Sequence, residues 1–378
     1  MSIKDNSFDR RRFLKTGSLG VGLVSTMGTA AFTPDLDDFN RNISSKRTLK
    51  MAGYDVPRVK ALFDGKIEIP GFDYSFEKQK IGDLNTMAHS GQSPYDVMEL
   101  GLGPFIFAFA NEGIKNYELI PVFPLRIFRH KSIFVRSDGS VSKVADLKGK
   151  RIGTAGYSSS SLTWIRGILM DEYGFDPKEV TWVISKEDSS KDVSGKISAQ
   201  EQVNPDGIRI VDGPSGMDES EMLISGEVDA LFHAAQPKAF VKGDQRIQRL
   251  FSDSRKVEQD FFKNSGIFPI MHVVGVRKEL LKDHPEIGQT IFNAFVEAKR
   301  QNFSYMQKLA WAYDSLPWYG QEFEETVKVM GKDYWSYGFS SNQKVLDTFC
   351  RYCFEQGLIK KKIKAEELFY QPALDYKE

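Results

Sequence analysis

Cysteine is almost missing from this 378-residue chain, which carries only Cys350 and Cys353. Two cysteines cannot build a disulfide framework. Their C-x-x-C lies in a helical pattern over residues 344–356, with no strand before it and no second ligand pair, so it reads as helix packing and not as a redox or zinc site. Histidine is scarce as well, at five residues, and no H-E-x-x-H, Walker loop, G-x-G-x-x-G or Ser-His-Asp arrangement is identifiable. No metal and no cofactor is therefore expected. Net charge is absent, with 51 basic against 51 acidic residues, and no basic stripe with interleaved aromatics occurs. That excludes nucleic acid as the expected partner. No apolar run reaches about 18 residues, so no membrane-spanning helix is expected.

The charge that is present is unevenly placed. The first 31 residues carry five basic and two acidic groups, including Arg10-Arg11-Arg12-Phe13-Leu14-Lys15, and an uncharged stretch runs from Thr16 to Thr33. Paired arginines before Phe-Leu-Lys, a short Gly- and Ser-containing apolar run, and the small residues Thr29-Ala30-Ala31 read as a twin-arginine export signal over 1–31. The expected location is periplasmic or otherwise extracytoplasmic, reached through the twin-arginine machinery. No cysteine follows to carry a lipid. Residues 32–47 are polar and read as a tether.

From residue 48 the pattern becomes strand and helix in alternation, with apolar runs at 48–52, 72–76, 97–100 and 119–123. Helical stretches lie between them, which predicts a largely parallel sheet covered on both faces. A second series begins near residue 146 and contains a helix over 160–173. Residues 185–206 are nearly all polar and longer than a compact connection needs, so a mobile surface loop is expected there. Everything after Lys278 reads as helical. The simplest arrangement is α/β and like a type 2 periplasmic binding protein: two lobes joined by crossing segments at about 126–136 and 266–276. One lobe would take residues 48–131 and 271–378, the other 132–270. Such folds hold small ligands in the cleft between the lobes.

The crossing segments carry the residues with chemistry. The first holds Arg126, Arg129 and His130; the second holds His272 inside an otherwise apolar run. Two planar guanidinium forks suit neighbouring carboxylates. The plainer reading pairs both arginines with surface acids and makes His272 a satisfied core residue. In the second lobe, Tyr157, Ser158, Ser159, Ser160 and Ser161 lead into a helix, where free N–H groups and hydroxyls can receive an anion; a simple N-cap is the alternative. Arg166 follows on the next turns. Tyr54 and Asp55 end the first strand, where ligands of open α/β sheets sit, and Glu99 ends another as a general-base candidate.

Several of these stretches match a known family. Ala52-Gly53-Tyr54-Asp55 with Arg58, the run from Pro121 to His130, Trp164-Ile165-Arg166-Gly167-Ile168-Leu169, the run from Gly266 to His272, and Asp333-Tyr334-Trp335-Ser336-Tyr337-Gly338 resemble the 4,5-dihydroxyphthalate decarboxylases over residues 48–374. The resemblance implies an enzyme: a cofactor-free aromatic carboxy-lyase acting on a dihydroxylated aromatic dicarboxylate. Arg126 and Arg129 would clamp carboxylate, His130 or His272 would move the proton, and Glu99 or Asp55 would orient them. Tyr54, Asp55, Tyr157, Ser158, Ser159, Ser160, Arg166 and His233 would line the substrate. Two departures stand out. The family is usually cytoplasmic, and where it tends to carry an arginine loop this chain reads His233-Ala234-Ala235-Gln236-Pro237. The second reading is a periplasmic solute-binding protein delivering an aromatic or other small carboxylate to an ABC-type membrane transporter.

Overall fold

The computed structural model describes residues 46–114, 116–187, 191–308 and 315–378. The export-signal expectation over 1–31 and most of the tether lie outside the described residues. Eleven strands form two sheets, one of five strands in the order β2-β1-β3-β11-β4 and one of six in the order β10-β5-β9-β6-β7-β8. The first contains β1 (Arg47–Gly53), β2 (Phe72–Lys78), β3 (Val97–Gly101), β4 (Tyr117–Arg126) and β11 (Ile270–Arg277). The second contains β5 (Ile133–Arg136), β6 (Arg151–Thr154), β7 (Thr181–Ile184), β8 (Arg209–Asp212), β9 (Ala230–Phe232) and β10 (Ile247–Arg249). Strand β1 runs parallel to β2 and β3, whereas β11 runs antiparallel to β3 and β4. The sheet is mixed because β11 enters from the other lobe, while its neighbours are wound by strand-helix crossovers.

Every residue of β3 is buried, Glu99 included, which places a carboxylate in the middle of an apolar layer. Helices α1 (Ile81–Ser90), α2 (Leu102–Asn111), α3 (Ser160–Tyr173), α4 (Ser254–Ser265), α5 (Ile287–Lys308), α6 (Tyr319–Met330) and α7 (Gln343–Glu355) pack around the sheets. The chain passes from one sheet to the other between β4 and β5, and returns between α4 and β11. These passages run side by side: Ile127 N–H donates to Pro269 O at 3.1 Å, and Arg126 faces Ile270 across the ladder. Helix α7 ties the C-terminal helices to α3. Cys350 and Cys353 are buried on α7, Trp164 stacks on Phe349 at 5.0 Å, and a Cβ on Gly167 would lie 2.1 Å from the Tyr352 ring.

Residues 185–206 differ from the expected mobile loop. Their described part holds a short helix at Lys191–Ser194 and a 3-10 turn at Ala199–Glu201. The turn closes with a capping box, in which the Glu201 carboxylate accepts from Ser198 N–H at 3.2 Å and Ser198 Oγ–H at 3.0 Å. This strap packs on both lobes. The Glu201 carbonyl accepts from Ser158 Oγ–H at 2.6 Å, and a Cβ on Gly82 would fall 2.0 Å from the Lys196 carbonyl oxygen. Polarity alone misled here, because the polar side chains satisfy the strap's own backbone.

Candidate functional site

A cavity of about 380 Å³ lies where the two sheets, the crossing segments and the strap meet. Tyr54, Asn85 and His272 come to it from the first lobe. Ser158, Ser159, Ser160, Ser161 and His233 come from the second, Arg129 from the first crossing, and Glu201 from the strap. The wall between these polar groups is made of Ile81, Pro104, Leu125, Ile127, Leu162, Ile197 and Phe232.

Two polar clusters stand out. In the first, His272 Nδ1 lies 2.5 Å from Glu99 Oε1, and Tyr54 N–H donates to Glu99 Oε2 at 2.8 Å. An ionised carboxylate only accepts, so a neutral His272 paired with it would carry its proton on Nδ1 and present Nε2 as an acceptor. Gly53 permits this approach, since a Cβ there would lie 2.9 Å from Glu99 Oε2. The Tyr54 ring meets the His272 ring edge-on at 5.3 Å. Burial, then Glu99, with Glu201 adding to it, pushes the Tyr54 phenol above its ordinary pKa, so it stays a proton-bearing group.

The second cluster surrounds Arg129. Its guanidinium donates to Ala234 O at 2.6 Å and to Ser161 Oγ at 2.5 Å, and it touches Met271 Sδ at 2.9 Å. All three are neutral. Burial pushes the Arg129 pKa down, with only Glu258 acting in the other direction. A buried cation in a cavity wall, with only neutral partners, can take a carboxylate from a ligand. The N-terminus of α3 adds to it: Ser159 caps Leu162 N–H at 3.2 Å, and Ser160 Oγ accepts Gly103 N–H at 2.9 Å across the cleft.

Several expected residues lie elsewhere. Arg126 does not line the cavity; its guanidinium donates to Phe268 O at 3.3 Å, Ser336 O at 2.7 Å and the Asn342 side chain. The reason is parity. Leu125, Ile127 and Arg129 face the cavity, so Arg126 on the same extended chain faces away. His130 opens a 3-10 turn that rotates it out of line with Arg129, and its ring sits against Phe251 and Phe261 with Nε2 3.5 Å from Glu172. Asp55 lies outside the lining, 3.7 Å from Lys60 Nζ. Tyr157 and Arg166 are core residues of the second lobe: the guanidinium lies 3.9 Å from the Tyr157 ring and donates to Gln356 Oε1 at 2.8 Å. Arg166 stands six residues into α3, roughly 9 Å along its axis from the cavity end. The sequence reading missed Asn85 and Glu201. Asn85 falls on the buried stripe of Leu84 and Ala88, and Glu201 ends the Ser198-Ala199-Gln200-Glu201 capping signature.

Among the described residues no cluster of His, Cys, Asp and Glu is arranged to hold a metal, and no helix is long and apolar enough to cross a membrane.

Comparison with known proteins sharpens this picture. A 4,5-dihydroxyphthalate decarboxylase from Comamonas testosteroni is 32% identical over 331 residues, covering 88% of this chain and 98% of that protein. The chain belongs to the 4,5-dihydroxyphthalate decarboxylase family. A second family member, from Pseudomonas putida, is 31% identical over 221 residues, 58% of this chain and 83% of the relative. Residues 126–199 match the family described as NMT1/THI5 like. Among solved structures, a periplasmic sulfonate-binding protein from Methylobacillus flagellatus KT superposes with a TM-score of 0.51 at 15% identity, covering 88% of this chain and 94% of that one. This family member therefore has the periplasmic-binding-protein fold, with two α/β lobes.

Proposed function

We propose that the chain is an aromatic carboxy-lyase that removes one carboxylate from a dihydroxylated aromatic dicarboxylate of the 4,5-dihydroxyphthalate type. The observation that carries this is the pairing of His272 with Glu99 at 2.5 Å on a cavity whose other cluster is a buried arginine. Membership of the decarboxylase family supports it.

His272 Nε2 accepts the proton of the ring hydroxyl para to the departing carboxylate, and Glu99 holds the imidazole in the tautomer that can do so. The phenolate pushes electrons into the ring, the carbon bearing the carboxylate takes a proton from solvent, and the imidazolium returns its own proton to the phenolate once the ring is restored. The C–C bond then breaks, its electron pair restores the aromatic ring, and carbon dioxide leaves. Each turnover consumes one proton. Arg129 and Ser161 hold the ring against rotation through a carboxylate. Ligand exchange moves a lobe of residues 48–131 and 271–378 against one of 132–270.

Arg10 and Arg11 support export by the twin-arginine route, and a protein exported in this way works outside the cytoplasm. Export together with the binding-protein fold is also what a solute receptor for a membrane transporter would show. One experiment separates the two: incubate the protein with 4,5-dihydroxyphthalate and follow heat of binding and carbon dioxide together. Turnover stoichiometric with substrate loss is expected. Tight binding with no gas released leaves the receptor reading.

A further inference from the structure

The cavity has two polar clusters but few cations. Arg129 is the only Arg or Lys among its described lining residues. The other arginine expected there, Arg126, is spent on carbonyl and amide oxygens away from the cavity. His233 does line it, yet its Nδ1 accepts Ala235 N–H at 3.1 Å, an arrangement open only to an imidazole without a proton on that nitrogen. The lining carboxylate, Glu201, accepts from Ser198 within the strap and helps to keep the Tyr54 phenol protonated. The lining therefore offers one cation to an anion, and an imidazole nitrogen to a hydroxyl group that donates.

We propose that the site is a receptor for a single carboxylate: Arg129 with Ser161 grips the one that stays, and the departing one rests on the apolar wall of Leu125, Ile127 and Phe232. This rests on the decarboxylase reading for which group leaves, but not for what binds. The arrangement has a chemical sense. As carbon dioxide forms, the leaving carboxylate loses its charge, so a cation over it would hold back the ground state more than the transition state. A cation over the retained carboxylate acts equally on both and supplies grip alone. The reaction product, 3,4-dihydroxybenzoate, keeps the gripped carboxylate and both hydroxyls. It is then nearly as good a ligand as the substrate, and it inhibits at concentrations near the substrate KM.

Calorimetry on the full chain tests this with three ligands: 4,5-dihydroxyphthalate, 3,4-dihydroxybenzoate and catechol. A charge-assisted contact is worth roughly ten- to hundred-fold in affinity. The monoacid is expected within about ten-fold of the diacid, and catechol at least about ten-fold weaker than the monoacid. Arg129→Gln should bring monoacid and catechol together, while Arg129→Lys restores part of the gap. A diacid preference beyond about ten-fold would require a second cationic contact and overturns the proposal, as does a monoacid that binds no better than catechol. If the expected ranking appears but the diacid releases no carbon dioxide, the one-carboxylate receptor stands and the decarboxylase reading falls.

Discussion

At the residue scale, two arginines three positions apart have opposite jobs. Arg126 satisfies three buried acceptors, so Arg126→Gln should cost stability, about 1–3 kcal/mol for each acceptor left unpaired, seen as a lower Tm. Its effect on affinity for 3,4-dihydroxybenzoate should stay within about two-fold. Glu99→Gln leaves one acceptor oxygen for two N–H donors, those of His272 and Tyr54, so the His272 tautomer is no longer fixed and turnover should fall about 10- to 100-fold while the carboxylate still binds. A third prediction concerns pH. Burial pushes His89 from 6.5 down to about 4. Between those values the unfolded chain binds the proton and the folded one does not, so stability falls as pH drops from 6.5 to 4. The loss is roughly 3 kcal/mol at 1.36 kcal/mol per unit. Denaturant unfolding of wild type and His89→Gln across that window should show the slope in wild type only; equal slopes would assign the acid sensitivity to other groups. The cavity's residue types were legible in the sequence. Which of them face it was not fully legible, because Arg126 and Arg129 are close in sequence while strand parity separates their side chains.

At the element scale, the strap over residues 191–203 covers one side of the cavity with Ser194, Ile197 and Glu201. It is held where a glycine lets backbone meet backbone: a Cβ on Gly82 would lie 2.0 Å from Lys196 O. Gly82→Ala should lift the strap, expose the cavity and raise the ligand off-rate by about ten-fold or more, with Tm changed by a few degrees. Stopped-flow release of 3,4-dihydroxybenzoate measures it, and an unchanged off-rate would mean that ligand leaves by another path. The helices and strands themselves were readable from apolar periodicity, since β3 and β11 are mostly apolar runs interrupted by Glu99 and His272, and α3 begins at a serine cap. The strap was not, because its stabilising bonds are local and polar and leave no apolar pattern. Only the Ser198 to Glu201 spacing announces it.

At the scale of the whole molecule, two sheets built from separate stretches meet along paired crossing segments, and the chemistry sits at that meeting. The α/β class with two lobes was legible because a second strand-helix series interrupts the first. What the sequence did not carry was the angle at which each crossing residue leaves the backbone. Arg129 and His272 are expected to act together in this cavity, without Arg126. Carbon dioxide release from 4,5-dihydroxyphthalate by wild type, Arg126→Gln, Arg129→Gln and His272→Gln, each normalised to folded protein, tests it most directly. Arg126→Gln should keep turnover within about two-fold, while Arg129→Gln and His272→Gln should each lose about 100-fold or more. Full turnover in the Arg129 or His272 variant, or its loss in the Arg126 variant, would contradict the account.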